Sequence, residues 1–299
     1  MGRASEWAPF GGSDLRMFSI IVESELQSRG LDYRLGDGFV EVVSSEGRQG
    51  LGLGNLAQVC GAIPRGDWAE AIKKHFELVF NRADEEGALE EKIHDFELVR
   101  AMLRVRLYDV GFEDQLVRTI APDLTAGVVF DLPSSMRSVS RAEADAWQRT
   151  DDELFEIALD NLALEEAPEE TTVIGPEEVR MTVVEGASYY TTSRALRLVE
   201  SAIPAHHPFG ALVALPNRHV FFYHLIEDAR VVFAANALVS LAREAFRRGP
   251  GSITDQIFWV SPGGEVVKLP CDEQGSTLVV APPARFVKDV LDRVVSRPS

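Results

Sequence analysis

Four of the six histidines in this 299-residue chain, His206, His207, His219 and His224, lie in or beside one apolar stretch, residues 210–226. Imidazole there could carry protons or ligate a metal. The spacing argues against a metal. His206 and His207 are adjacent and face apart in an extended chain, and His219 and His224 fall on opposite faces of a strand. No His-x-x-x-His or Cys-x-x-Cys spacing adds a zinc site. Structural histidines without a metal are therefore expected. Asp255, Glu265 and Lys268 have the side-chain types of a metal-dependent nuclease. Glu265 and Lys268, however, alternate to opposite faces of a strand, and an acidic chain disfavours a nucleic-acid substrate. Gly52-Leu-Gly-Asn-Leu-Ala57 fits the dinucleotide pattern G-x-G-x-x-A, which needs a buried strand before it and an acidic residue at the ribose position. Residues 44–50 make a poor strand, and Lys73 and Lys74 stand where the acid would be, so a turn and a helix start are expected, with no cofactor.

The remaining candidates are polar groups on apolar faces. Asn161 shares a helical face with Leu154, Ile157 and Ala158, and a buried amide needs partners. It reads as a bridge to a neighbouring loop or, functionally, as a ligand contact. Tyr189 and Tyr190 precede the stripe Leu196, Val199, Ile203, and Arg218 lies at a hairpin turn. Tyr and Arg are enriched at binding hot spots. The candidate binding set is Tyr189, Tyr190, Arg218, His219 and Asn161. An enzyme would instead need a pair such as His219 with Asp255, beside Tyr189 and Arg218. The sequence has no Gly-x-Ser-x-Gly, phosphate-binding loop, His-Glu-x-x-His or kinase signature.

These residues must be positioned by a hairpin. Residues 211–215 and 219–226 read as strands joined by Pro216-Asn217-Arg218. The second strand is apolar on both faces, Phe221, Tyr223 and Leu225 opposite Val220, Phe222 and Ile226, so it belongs at the centre of a covered sheet. Ahead of it, Ser13 with Asp14 is expected to cap a helix ended by Gly30, and Gly36-Asp37-Gly38 to join strands 31–35 and 39–43. Helices follow around Leu56 and from Asp67, then an acidic segment over 83–92. Residues 96–108 suit a helix or a strand edge, 112–120 a helix and 126–132 a strand. Thr150-Asp-Asp-Glu153 is a capping box for a helix to about 164. Beyond it the order is strand 179–184, helix 188–202, the hairpin, helix 233–248, strands 256–260, 265–269 and 277–280, and a last helix with Phe286, Val290 and Val294. The class is α+β, a mixed or antiparallel sheet with flanking helices. The C-terminal half has a β-α-β-β-α-β order similar to a ferredoxin-like arrangement. Residues 1–165 and 175–299 are the expected α+β regions, with the Glu/Pro/Thr-rich 166–174 as linker.

A net charge of −17 and pI near 4.8 disfavour nucleic acid. No run approaches the roughly 20 apolar residues of a membrane span. The N-terminus has no apolar core of a secretory signal and falls short of the myristoylation pattern. Cys60 and Cys271 are far apart and suit a reducing cytoplasm as buried thiols.

Several motifs together carry a family resemblance: Leu53-Gly-Asn-Leu56, Glu153-Leu-Phe-Glu-Ile-Ala-Leu-Asp-Asn-Leu162, Tyr189-Tyr190 before a helix, Leu212-Val-Ala-Leu-Pro-Asn-Arg218 and Ile253-Thr-Asp-Gln-Ile-Phe258. In this order, from about residue 50 onward, they resemble the YtpQ-like bacterial proteins, a family of unknown function. That resemblance implies a soluble cytoplasmic bacterial protein and supplies no catalytic residues. The expectation from charge and pattern is a non-enzymatic protein- or peptide-binding module for a basic partner, similar in charge and element order to secretion chaperones and immunity proteins. The alternative is a hydrolase or transferase.

Overall fold

The computed structural model describes residues 10–295 apart from 37, 45, 46, 206, 275 and 276, so the expected turn residue Asp37 and His206 lie outside the described residues. The chain forms two compact units, one of residues up to 86 with 247–251 and one of residues 87–246 with 252 onward.

In the first unit, α1 (Gly12–Ser28) buries Phe18, Val22 and Leu26, the stripe its spacing requires. Its N-cap is Gly11, with no side-chain cap, so Ser13 lies inside the first turn. Three strands, β1 (Asp32–Leu35), β2 (Phe39–Ser44) and β3 (Gly47–Gly52), form an antiparallel meander. Helices α2 (Gly54–Ala62) and α3 (Trp68–Glu90) follow, and Leu53, Leu56, Cys60, Trp68, Ile72 and Phe76 complete this core. A strand therefore does precede Gly52-Leu-Gly54. It is the edge of an antiparallel meander, and a dinucleotide crossover needs parallel pairing. Burial pushes the Cys60 thiol up to about 11.

The second unit begins with α4 (Phe96–Val99), a 3₁₀ turn and β4 (Leu103–Tyr108), so the ambiguous stretch is both helix and strand. Next come β5 (Val117–Ala121), β6 (Leu124–Asp131), β7 (Met136–Ser138), α5 (Arg141–Ala146) and α6 (Asp151–Asp160). The Thr150–Glu153 capping box is present. Residues 112–120 are not a helix: the β-branched Val117, Thr119 and Ile120 favour β5, which pairs with β6. β4, β6 and β5 lie in that order, with β7 on the remaining part of β6.

β8 (Glu169–Ile174) and β9 (Arg180–Glu185) precede a 3₁₀ segment (Thr191–Arg197) and the single turn α7 (Leu198–Ser201). The expected helix over 188–202 is tightened because Thr191 and Thr192 spend their hydroxyls on backbone carbonyls. β10 (Ala211–Asn217) and β11 (Val220–Leu225) form the hairpin, followed by α8 (Val231–Arg248), β12 (Ile257–Val260) and β13 (Val266–Leu269). A small hairpin, β14 (Cys271–Gln274) with β15 (Thr277–Val280), leads to α9 (Ala284–Phe286), a π-helical turn and α10 (Asp292–Val295).

The main sheet has the order β13-β12-β10-β11-β9-β8, with every neighbouring pair antiparallel. A ferredoxin-like sheet would set its first and third strands parallel at the centre; here the β10–β11 hairpin holds that place. The residues expected as a linker hold β8 instead, because Thr171, Thr172, Val173 and Ile174 are strand formers. The division between units falls at residue 86, so segments on both sides of 166–174 share one core.

That sheet is covered on both faces. Ala211, Val213, Leu215, Phe221, Tyr223 and Phe258 pack with the β4–β6 sheet and α6. Leu212, Ala214, Phe222, Ile226, Ile257 and Trp259 pack with α8 and the C-terminal helical turns. Gly210 enters the hairpin at φ 73°, and a Cβ there would meet the Val260 carbonyl at 2.0 Å. Truncating Phe258 (0% exposed) to Ala should cost about 3–5 kcal/mol, while Ile174→Ala at the exposed edge should stay within about 0.5 kcal/mol. Urea midpoints followed by tryptophan fluorescence check this, and equal midpoints would contradict the assignment of the core.

Candidate functional site

The β10–β11 turn presents Arg218 and His219, and it is pinned from two sides. Thr192 Oγ1 donates to the carbonyls of Asn217 and Val220, at 2.5 and 3.1 Å. The buried Asn217 side chain donates to the Ala245 carbonyl at 3.2 Å and accepts from the His219 N–H at 2.9 Å. The Arg218 guanidinium stacks over the half-exposed Tyr189 ring, 4.2 Å from its centroid. Its Nε donates to His219 Nε2 at 2.9 Å, and His219 Nδ1 lies 3.2 Å from the Gly186 carbonyl. Those two bonds assign one tautomer: Nδ1 carries the proton and Nε2 accepts. Burial, then the neighbouring Arg218 cation, lowers the His219 pKa below its ordinary value, and burial lowers that of Arg218.

Tyr190 faces the other way. Its ring is 2% exposed and packs with Val129 and Leu162. The hydroxyl donates to Asp131 Oδ1 at 2.8 Å. Asp131 lies 3.9 Å from the guanidinium of Arg104 (6% exposed), which donates to Glu165 Oε1 at 2.8 Å. Glu165 Oε2 accepts from Ser188 Oγ at 2.8 Å, and that oxygen accepts the Tyr190 N–H at 3.1 Å. The circuit closes on Tyr190. It satisfies a buried cation with two carboxylates and two backbone carbonyls, those of Ala101 and Leu103. Burial raises the Asp131 carboxyl, and burial with the adjacent Asp131 charge raises the Tyr190 phenol. Tyr190 is thus a structural anchor and lines no groove.

Asn161 makes the bridge anticipated for it: Nδ2 donates to the carbonyls of Arg100 and Leu103 at 2.7 and 3.0 Å. His219 and Asp255 are not brought together. Asp255 lies 3.7 Å from Arg243 and accepts from Gln256. Glu265 pairs with Arg285, and Lys268 reaches Asp123 at 2.5 Å, so each member of the nuclease-like trio is engaged by another partner. Among the described residues, no group of three or more His, Cys, Asp or Glu could hold a metal ion. His224 Nδ1 is engaged by the Arg180 carbonyl at 2.8 Å.

Two hollows open on one face of the main sheet at its β8 end. The first, about 560 Å³, is floored by Leu159, Leu162, Val184, Leu198 and Phe221 and rimmed by Asp160, Glu170 and Glu200. The second, about 670 Å³, is lined by Thr172, Ile174, Thr182 and Leu225, with Glu178, Glu227 and Asp228 at its rim. Tyr223 lines both, so they adjoin as one trough. Register confirms the shared face: Glu170 opposes Val184, Thr172 opposes Thr182, and these oppose Phe221 and Tyr223. The Arg197 guanidinium at this rim is already neutralised by Glu156, Asp160 and Glu200. Arg194 donates to the carbonyls of Leu162, Glu165 and Glu166. Arg230 is paired with Asp228. The Tyr223 hydroxyl has no hydrogen-bond partner among the described residues.

Sequence reasoning missed Arg104, Asp131, Glu165 and Ser188, which are scattered over 85 positions of chain. One signal was available: Arg104 and Arg106 interleaved with Leu103, Val105 and Leu107 mark a strand whose second face is charged. Fold and site together define an acidic α+β protein built on an all-antiparallel six-stranded sheet, with an acid-rimmed trough along one edge. No protein-family model, curated protein or solved structure matches this chain. Among the described residues, no helix is long and apolar enough to cross a membrane.

Burial holds the imidazoles of His219 and His224 below their ordinary value of 6.5, and those of His75 and His207 shift the same way. The unfolded chain takes up these protons near pH 6.5 and the folded chain does not. Stability is therefore intact above about pH 6.5 and falls as the pH drops below it. The raised Asp131 carboxyl acts in the opposite sense. Replacing both His219 and His224 by Gln should flatten the fall in urea midpoint between about pH 7 and about pH 5.5. An unchanged slope would contradict their neutral state in the fold.

Proposed function

We propose that the protein is a non-enzymatic binding module that holds a basic, extended polypeptide segment in the trough beside β8. The observation that carries this is the joined hollow itself, apolar along the floor of its first part, lined by Thr172, Thr182 and Ile174 in its second, and rimmed at both ends by carboxylates. A floor of Leu, Val and aromatic side chains gives a partner apolar area to bury. The rim charges select lysine- and arginine-bearing chains and repel acidic ones, including further copies of this −17 chain.

The outer edge of β8 has no strand neighbour among the described residues. An edge of this kind accepts an added strand through main-chain hydrogen bonds. Glu169 and Glu170 on that edge are exposed, which blunts pairing with like-charged chains and favours a basic one. The engagement of Asp255, Glu265 and Lys268 by other partners, and of His219 by Arg218 and Gly186, counts against the hydrolase or transferase reading. The resemblance to the YtpQ-like bacterial proteins, and the cytoplasmic setting it implies, belong to the same proposal.

The test is fluorescence anisotropy with a labelled extended peptide of alternating Lys and Val, and with its Glu counterpart. The basic peptide should bind, weaken as salt rises, and lose about tenfold in affinity when Glu170 and Glu200 are both changed to Lys. Equal binding of the acidic peptide, or indifference to the charge reversal, would overturn the reading.

A further inference from the structure

The two edges of the six-stranded sheet are not alike. β13 is four residues long, packs against β5 and carries Lys268, which reaches across to Asp123. β8, at the other edge, is six residues long and pairs with β9 in unbroken register, with no proline between Pro168 and Pro176. Residues 169–172 and 174 are exposed, Ile174 by 70%. Sheets blunt an edge with short strands, bulges, proline and lysine. β8 has none of these; its charges are Glu169 and Glu170, which bar an acidic chain and admit a basic one.

Two main-chain bonds show which groups of β8 face outward. The Gly186 N–H donates to the His219 carbonyl at 3.0 Å, one step beyond the Glu185–Val220 pair of β9 and β11. The Gly175 N–H donates to the Val179 carbonyl at 2.8 Å, one step beyond the Ile174–Arg180 pair of β8 and β9. Bonded and non-bonded pairs alternate along an antiparallel ladder. From the first bond, Val184 and Thr182 turn their N–H and C=O towards β11, so Val183 and Met181 turn theirs towards β8. From the second, Thr171 and Val173 turn theirs towards β9, opposite those same two residues. The two ladders agree. The N–H and C=O of Glu170, Thr172 and Ile174 therefore point away from the sheet, where no strand meets them among the described residues. The side chains of the same three residues line the trough.

We propose that the partner segment joins the six-stranded sheet as a further strand, antiparallel to β8 and bonded to the main chain of Glu170, Thr172 and Ile174. This pairing presupposes the trough reading above and adds to it the partner's register and residue pattern. Every neighbouring pair in the sheet is antiparallel, and the added strand continues that order. Partner residues opposing the three exchange both bonds with them and project their side chains onto the same face. Alternate residues of the partner thus donate their N–H to β8 and place their side chains over the trough. A basic residue falls opposite Glu170 and apolar residues opposite Thr172 and Ile174. A second basic residue lies beyond, towards Glu178, Glu227 and Asp228. The pattern is basic-x-apolar-x-apolar-x-basic.

Anisotropy of the full chain with labelled Lys-Ser-Val-Ser-Val-Ser-Lys tests it, using backbone N-methylation to remove chosen donors. Methylating both valines should weaken binding about tenfold or more, and methylating the serines should leave it within about twofold. Thr172→Pro removes an outward N–H; it should weaken binding of the unmethylated peptide and leave the urea midpoint close to that of the parent chain. Thr171→Pro removes an N–H turned to Val183 and should lower that midpoint much further. Equal midpoints for the two variants would contradict the pairing. Loss on serine methylation alone would mean a parallel or flipped strand, and binding indifferent to all methylation would mean side-chain capture without strand addition. Either overturns the pairing and leaves the trough reading standing, whereas no binding of the unmethylated peptide removes both. Self-association that Thr172→Pro abolishes would assign the edge to a second copy and overturn the pairing as well.

Discussion

A strand that is apolar along both faces must be covered over most of its length, and β11 is such a strand. Phe221 and Tyr223 point one way, Phe222 and, just past the strand, Ile226 the other, and β10 beside it is buried along its whole length. Burying a large apolar side chain is worth about 1.5–3 kcal/mol relative to exposure, so the hairpin dictates a three-layered unit. Helix α8 and the C-terminal turns close one face; the β4–β6 sheet with α6 closes the other. The covering reaches the centre of the sheet and stops short of β8. The trough is what this arrangement leaves open, and its floor is the outer end of the face whose centre makes the core.

The covering layer on that side is held by Arg104. Its guanidinium is nearly sealed from water, and a cation there needs its carboxylates or the layer opens. Glu165 and Asp131 supply them from the end of the α6 segment and from β6, and Ser188 with Tyr190 ties in the loop that leads to the 3₁₀ turn. The same loop carries Gly186, whose carbonyl orients His219, and Tyr189, which stacks on Arg218. One buried charge therefore fixes both the wall of the trough and the geometry of the turn.

Much of this was legible in local pattern. The α+β class, the two-faced hairpin, the Thr150–Glu153 capping box and the bridging role of Asn161 follow from periodicity and hydrogen-bonding need, each acting over a few residues. The misreadings share a cause. Residues 166–174 look like a linker because Glu and Pro dominate their composition, yet their Thr-Thr-Val-Ile end pairs with β9. Residues 112–120 carry helical spacing that pairing with β6 overrides. Tyr190 beside Tyr189 invites a shared role, but one ring is buried with its hydroxyl on the Asp131 carboxylate and the other is half-exposed. The Arg104 circuit was invisible for a simpler reason: its members come from four separated segments, and no linear spacing encodes their meeting.

The central claim is that the exposed end of this sheet face is a receptor for a basic chain. Its most direct measurement is amide chemical-shift mapping while an extended basic peptide is titrated in. Shifts concentrated in β8 and β9, at residues 169–174 and 180–184, and spreading to Tyr223 would be the predicted result. Shifts scattered over the surface, or confined to the unit formed by the first 86 residues, would contradict it.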